Sequence, residues 1–135
     1  MKFFADASGW IAVFNEADKY HARALNWMGV VKGQRHRLVT ADYVLDEAIT
    51  FLQSTVNHAT AEDFAVWVLK QRPVQIIHVT ESIWQDALAL FRKYDDKKFS
   101  FTDCVSFVVM RQQNLTDTFG FDHHFEQMGF QLWPH

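Results

Sequence analysis

The chain has 135 residues, of which 49% are apolar, 21% charged and 16% aromatic, with thirteen Phe and five Trp. That is the make-up of one folded domain with a bulky core, and it excludes disordered, collagen-like and linker-like chains. Sixteen Asp and Glu against thirteen Lys and Arg give a net charge of −3, which at face value argues against a strong nucleic-acid binder.

The first residues, Lys2-Phe3-Phe4-Ala5, predict a short strand, and Asp6-Ala7-Ser8-Gly9 a turn with helix-capping residues. Trp10, Ile11, Val13 and Phe14 begin a helix, which residues 15–19 break. From Tyr20 a second helix carries Ala24, Leu25, Trp27, Met28 and Val31 at three- and four-residue spacing, with Gly33 as its expected C-terminal cap. Leu38-Val39-Thr40 predicts a buried strand. Val44, Leu45, Ala48, Ile49, Leu52 and Val56 mark a helix, and residues 59–71 another, stopped by Pro73. Val74-Gln75-Ile76-Ile77-His78-Val79 is a β-branched strand. Thr80 or Ser82 caps a helix with Ile83, Trp84, Ala87, Leu88, Phe91 and Tyr94 on one face. After a polar link, Ser100 caps a helix over residues 101–113 that is apolar on most of its surface. Phe119-Gly120-Phe121 closes a strand, Asp122-His123-His124-Phe125 opens a short helix, and Phe130-Gln131-Leu132 adds a last strand. Short apolar strands alternating with helices predict a three-layer α/β/α sandwich with a mostly parallel sheet, one domain over residues 1–135. Ligands of such folds bind beyond the carboxyl ends of the strands, at a topological switch point.

The single cysteine, Cys104, excludes an internal disulfide and any cysteine-cluster zinc site. No apolar run approaches the ~20 residues of a membrane helix, and Asp6 interrupts the apolar start, against a secretory signal. The expected location is the cytoplasm, with no membrane contact. There is no glycine-rich phosphate cradle, and no Gly-x-Ser-x-Gly elbow around Ser8.

Four acids fall where an apolar segment meets a helix start. They are Asp6 after the first strand, Glu47 early in the helix after the second, Asp103 just after Ser100, and Asp122 after a later strand. Each has an ordinary alternative. Asp6 and Asp122 can simply cap helices, Asp103 completes a capping box with Ser100, and Glu47 can be solvated like Asp42 and Asp46. Taken together they form a set of hard oxygen donors without a sulfur partner, which suits Mg²⁺, or Mn²⁺ in its place. Without an ion such carboxylates repel one another and raise each other's pKa. Two ions ~3.5–4 Å apart can activate water and stabilise the leaving oxygen of a phosphodiester. With four acids so engaged, the other twelve are outnumbered by one, leaving a weakly basic surface around one acidic pit.

The chain resembles the PIN-domain family, and most closely its VapC-type ribonuclease toxins. Four blocks carry the match over essentially the whole chain: FFADASGWIAVF at the start, TADYVLDEAITFL from residue 40, SFTDCVSFVVM from 100 and FGFDHHFEQMGF from 119. The resemblance implies an α/β/α sandwich and a Mg²⁺- or Mn²⁺-dependent endoribonuclease that hydrolyses RNA. Asp6, Glu47, Asp103 and Asp122 would be its catalytic, metal-holding acids, accompanied by Ser8 and Thr102. It also implies a toxin restrained by a cognate antitoxin protein, and frequent homodimers. One departure is that His123 and His124 stand where the family often carries a basic residue. Two other classes compete: a non-catalytic module of the same fold that binds RNA or protein, and a DNA-directed metal nuclease.

Lys32, Arg35 and Arg37, and Arg92, Lys93, Lys97 and Lys98, are basic stretches that could contact RNA backbone or be ordinary solvated helix ends. Trp10, Trp27, Trp67 and Phe51 could line a groove for an antitoxin helix, although core packing is the commoner fate. Adjacent His123 and His124 would face different ways on a helix, so joint binding of one ion is not expected. His21, His36, His58 and His135 read as solvent-facing, and Cys104 as a buried thiol.

Overall fold

The computed structural model describes all residues, 1–135. Strand β1 (Lys2–Ala5) is followed by α1 (Ala7–Phe14) and α2 (His21–Gly33). Strand β2 (Arg37–Ala41) is followed by α3 (Asp42–Thr55) and α4 (His58–Leu69). After β3 (Val74–Ile77) come α5 (Glu81–Lys93) and α6 (Phe101–Gln112), then β4 (Asp117–Phe119), α7 (His124–Gln127) and β5 (Gln131–Trp133).

All five strands are parallel, in the order β3-β2-β1-β4-β5. The chain builds outward from β1 to β3, then returns across the sheet to β4. Right-handed crossovers that reverse direction place α1–α4 on one face and α5–α7 on the other, which makes the sandwich. The reversal also creates a switch point between β1 and β4, where Phe4 pairs with Thr118 and Ala5 with Phe119.

The central strands are apolar because both faces are covered. Phe3, Phe4, Leu38, Val39 and Phe119 are fully or almost fully buried. Trp10 and Trp27 belong to this core, with Trp27 stacked on Phe119 at 4.5 Å. Neither is free to line a groove; of the four aromatics proposed for one, only Phe51 is exposed and Trp67 is half-buried. A buried polar chain ties α1 to two strands: Trp10 Nε1 donates to Thr40 Oγ1 at 3.3 Å, and Thr40 Oγ1 donates to the Ala5 carbonyl at 2.9 Å.

Local capping follows the sequence closely at helix starts. Asp6, Asn57, Thr80 and Ser100 each accept a backbone N–H of the turn they begin. Helix ends differ. Gly33 lies inside α2, and the left-handed position that follows it is taken by Arg35, with φ 54°. The Arg35 N–H reaches the Lys32 carbonyl and the His36 N–H the Val31 carbonyl, a Schellman end. Asn114 and Gly129 make the same ending after α6 and α7. Glycine or asparagine is the usual occupant; an arginine there costs about 1–2 kcal/mol in backbone strain. His21 and His36 are half-buried rather than solvated: His21 Nδ1 lies 2.7 Å from the Ala12 carbonyl, and His36 packs edge-on against Phe3.

Candidate active site

The four acids all lie at the carboxyl edge of the sheet, around the switch point. Asp6 is the residue after β1 and the N-cap of α1; Glu47 is on α3, after β2; Asp103 is in the first turn of α6; Asp122 follows β4. Asp6 and Asp103 are buried, Asp122 is partly buried, and Glu47 is the most exposed. The capping readings of Asp6 and Asp103 hold as well. Asp6 accepts the Ser8 N–H, and Ser100 and Asp103 form a complete capping box. Capping and siting are one arrangement here, because a helix that starts at this edge aims its cap side chain into the crevice.

What the protein donates to these carboxylates falls on one oxygen of each aspartate. Asp6 Oδ2 accepts from Ser8 Oγ at 2.8 Å and the Ser8 N–H at 3.3 Å. Asp103 Oδ2 accepts the Ser100 N–H at 3.0 Å and faces His124 Nδ1 at 3.1 Å. Asp122 Oδ1 accepts the His124 N–H at 3.0 Å and lies 3.3 Å from the same ring nitrogen. The other oxygen of each aspartate, and both of Glu47, have no protein donor. No Lys or Arg pairs with any of the four; every ion-pair contact in the chain involves a histidine.

The electrostatics follow. The Asp6 carboxyl is raised from 3.8 to about 7, first by burial and then by the charges of Asp103, Glu47 and Asp122, against the lowering effect of the Ser8 hydrogen bond. Asp103 is raised too, first by burial, with the Ser100 hydrogen bond opposing and the Asp122 charge adding. Glu47 is raised by burial of its carboxyl end, then by Asp103 and Asp122. Asp6 feels the charges of the other three, Glu47 those of Asp103 and Asp122, and Asp103 that of Asp122, which ties the set together electrostatically.

Two small residues let the elements approach. Ser8 Oγ, besides donating to Asp6, accepts the Phe121 N–H at 2.9 Å, which ties α1 to the loop after β4. A side chain on Gly120 would meet Ser8 Oγ at 2.9 Å and Asp6 Cβ at 3.2 Å, so only glycine fits against this pair.

Sequence reasoning missed the placement of His124. Its Nδ1, which must carry the proton to face two carboxylates, sits between Asp103 and Asp122. His123 points outward, its side chain 71% exposed. The ligand atoms of Asp122, His123 and His124 lie within 4.8 Å of one another, closer than any trio drawn from the four acids. No local pattern in the sequence distinguishes the two histidines; a short turn after β4 decides it. The Thr102 carbonyl accepts from Ser106 Oγ, and its hydroxyl makes no hydrogen bond to any of the acids. Asp42 is not simply solvated: it accepts the Tyr43 and Val79 N–H groups, joining the end of β3 to α3. The Cys104 thiol is buried and pushed up to about 11, first by burial and then by Asp103, so it is no nucleophile.

The donor set fits a small hard cation. It offers four carboxylates, lacks a competing ammonium or guanidinium, and keeps at least one carboxylate oxygen per residue free of protein donors.

A family profile described as PIN domain matches residues 3–131. The chain is 30% identical over 128 residues to a Mycobacterium tuberculosis protein named 23S rRNA-specific endonuclease VapC20, spanning 94% of each. Its structure is similar to the crystal structure of M. tuberculosis VapC20, described as a Sarcin-Ricin loop cleaving toxin: TM-score 0.85 at 29% identity, over 95% of both chains. A more distant likeness, TM-score 0.70 at 10% identity over 98% of this chain and 97% of the other, is to a chain of VapBC2 from Rickettsia felis bound to a promoter DNA fragment, and concerns the fold alone.

Proposed function

The chain belongs to the PIN-domain family, and from that footing we propose that it is a divalent-metal-dependent endoribonuclease, the toxin of a toxin–antitoxin pair, acting on a folded RNA. The observation that carries this reading is the acidic crevice itself: four carboxylates at the switch point, three of them (Asp6, Glu47 and Asp103) raised in pKa, with no Lys or Arg partner. A non-catalytic module would have no reason to keep so unfavourable a cluster.

In this reading Asp6, Glu47, Asp103 and Asp122 hold Mg²⁺ or Mn²⁺ through their unengaged oxygens. The bound ion would polarise the phosphodiester and lower the pKa of water. The chain's own residues do the rest. Ser8 fixes one Asp6 oxygen and leaves the other to face the crevice. Ser100 does the same for Asp103. His124 bridges one oxygen of Asp103 and one of Asp122 and so fixes the orientation of both carboxylates. No side-chain base is assigned, since the one imidazole at the crevice, His124, has its Nδ1 engaged with Asp103 and Asp122. The names of the relatives suggest the biological setting: an antitoxin partner and, as the sequence resemblance implies, a homodimer. No helix is long and apolar enough to cross a membrane.

The test is cleavage of a folded RNA and of a DNA of equal length, each with Mg²⁺, Mn²⁺ or EDTA. RNA cleavage with either ion, lost in EDTA and in Asp103→Asn, is the expected result. Cleavage that survives both would overturn the metal mechanism, and DNA cut as readily as RNA would change the substrate class. The two histidines should separate. His124→Ala, which removes the donor shared by two acids, is expected to lower the cleavage rate ~10–100-fold. His123→Ala, on an outward-facing ring, should leave it near wild type.

A further inference from the structure

At the opposite edge of the sheet, where β2 and β3 begin, the ends of α2 and α4 enclose a half-open cavity of about 860 Å³. Met28 and Trp67 contribute to its apolar wall, and Lys32, Arg35, Arg37 and Arg72 surround it. No Asp or Glu lines it. These four cations have no carboxylate within 4.0 Å, and all four are exposed. In a chain of net charge −3, four unpaired cations around one acid-free hollow are a strong local excess.

Arg35 adds an independent observation. It occupies the left-handed position at the end of α2, where glycine is the favoured residue, although Gly33 lies only two residues away. Nothing in the packing requires a side chain there: Arg35 makes no hydrogen bond or ion pair through its guanidinium within the chain. A strained, unpartnered cation on the rim of a basic cavity points to a ligand outside the chain.

We propose that this cavity is a second RNA-binding site, which takes backbone phosphates of the substrate away from the bond that is cut. The proposal rests on the ribonuclease reading for its biological sense. The physical need is plain. The acidic edge repels a polyanion until metal is bound, so capture of RNA requires positive surface elsewhere. Strands of three to five residues separate the two edges by about 15 Å of sheet at ~3.3 Å per residue, a span that a folded RNA covers. Several exposed cations spread around an open rim suit successive phosphates of a strand better than one enclosed anion. The apolar wall leaves room for a sugar or base face between them.

The experiment measures binding without cleavage. A fluorescein-labelled RNA hairpin with single-stranded flanks is titrated with full-length Asp103→Asn protein in EDTA, from about 50 to 200 mM salt. Adding Arg37→Gln and Arg72→Gln together is expected to weaken binding roughly tenfold at the lowest salt and to reduce the log–log salt slope by about two. Arg35→Gly is expected to reduce the slope by about one while its melting temperature holds or rises, because glycine relieves the left-handed backbone. That pairing separates lost contact from lost fold. Affinity and slope unchanged in both variants would overturn the proposal. So would binding of labelled poly-glutamate that is tighter than RNA binding at matched charge and is weakened in both variants, which would assign the cavity to an acidic protein segment. Failure of the wild-type protein to cleave RNA, with these binding losses intact, would remove the nuclease reading and leave the RNA site standing.

Discussion

Asp6→Asn is expected to abolish RNA cleavage, by ~100-fold or more, and at the same time to raise the melting temperature of the metal-free protein at pH 8. Both effects come from one carboxylate. Asp6 is almost fully buried, and burial followed by its acidic neighbours raises it from 3.8 to about 7. In the unfolded chain it ionises near its ordinary value; in the folded chain it must ionise inside the crevice. The folded state therefore holds the proton longer. Its stability is greatest below pH ~4 as far as this group is concerned, and is lost as pH rises through about 7. Each pH unit between the two values is worth ~1.4 kcal/mol, so the metal-free protein should lose on the order of a few kcal/mol between pH 4 and 8. Asparagine keeps an oxygen for the Ser8 cap and carries no charge, so the variant escapes this loss. Mg²⁺ or Mn²⁺ should restore the wild type at pH 8 and help the variant far less, because an ion that binds only the folded state stabilises it. The check is thermal denaturation in EDTA at pH 5.5 and 8, repeated with each ion, beside the cleavage assay. A variant that melts lower than wild type in EDTA at pH 8, or cleaves within tenfold of it, would refute the electrostatic account.

Gly9→Ala should be the most damaging single methyl group in the chain. Helix α1 crosses β4 so closely at Gly9 that a Cβ there would lie 2.8 Å from the Phe119 carbonyl oxygen and 2.9 Å from its ring. Neither can yield. The carbonyl accepts the Asp6 N–H at 3.0 Å, and the fully buried ring stacks on Trp27 and meets Trp10 edge-on. Overpacking of this kind costs ~1–3 kcal/mol, a fall in melting temperature on the order of 5–10 °C for a domain of this size. Because the same carbonyl positions Asp6, cleavage should fall with it. Gly29→Ala is the matched control. It lies within α2 with nothing within 4 Å of its added methyl, and should be neutral or stabilising by up to ~1 kcal/mol. Equal melting temperatures for the two variants would mean that α1 and β4 are not in contact as described.

The acids were legible one at a time, as helix-start residues, and most caps were legible for the same reason. Asp6, Thr80, and Ser100 with Asp103 satisfy N–H groups within three residues of themselves, so the pattern that creates the cap is written in adjacent sequence. The helix ends were less so. Gly33 has the chemistry of a cap, but it is the last residue of α2, Gln34 caps the helix and Arg35 takes the strained position. The tryptophans show the limit of periodicity: Trp10 and Trp27 are core, Trp67 is half-buried, and the local spacing is compatible with either.

Residue order is enough for the alternation of strands and helices, the parallel character that follows from short apolar strands, and a set of acids at helix starts without sulfur partners. Those properties depend on neighbours a few residues apart. Long-range packing is what makes β1 and β4 adjacent, sets His124 rather than His123 between Asp103 and Asp122, and leaves one oxygen of each aspartate without a donor. It also gathered four cations at the far edge. These depend on contacts between residues distant in sequence, which the crossover geometry and the packing of the core create and no local pattern encodes.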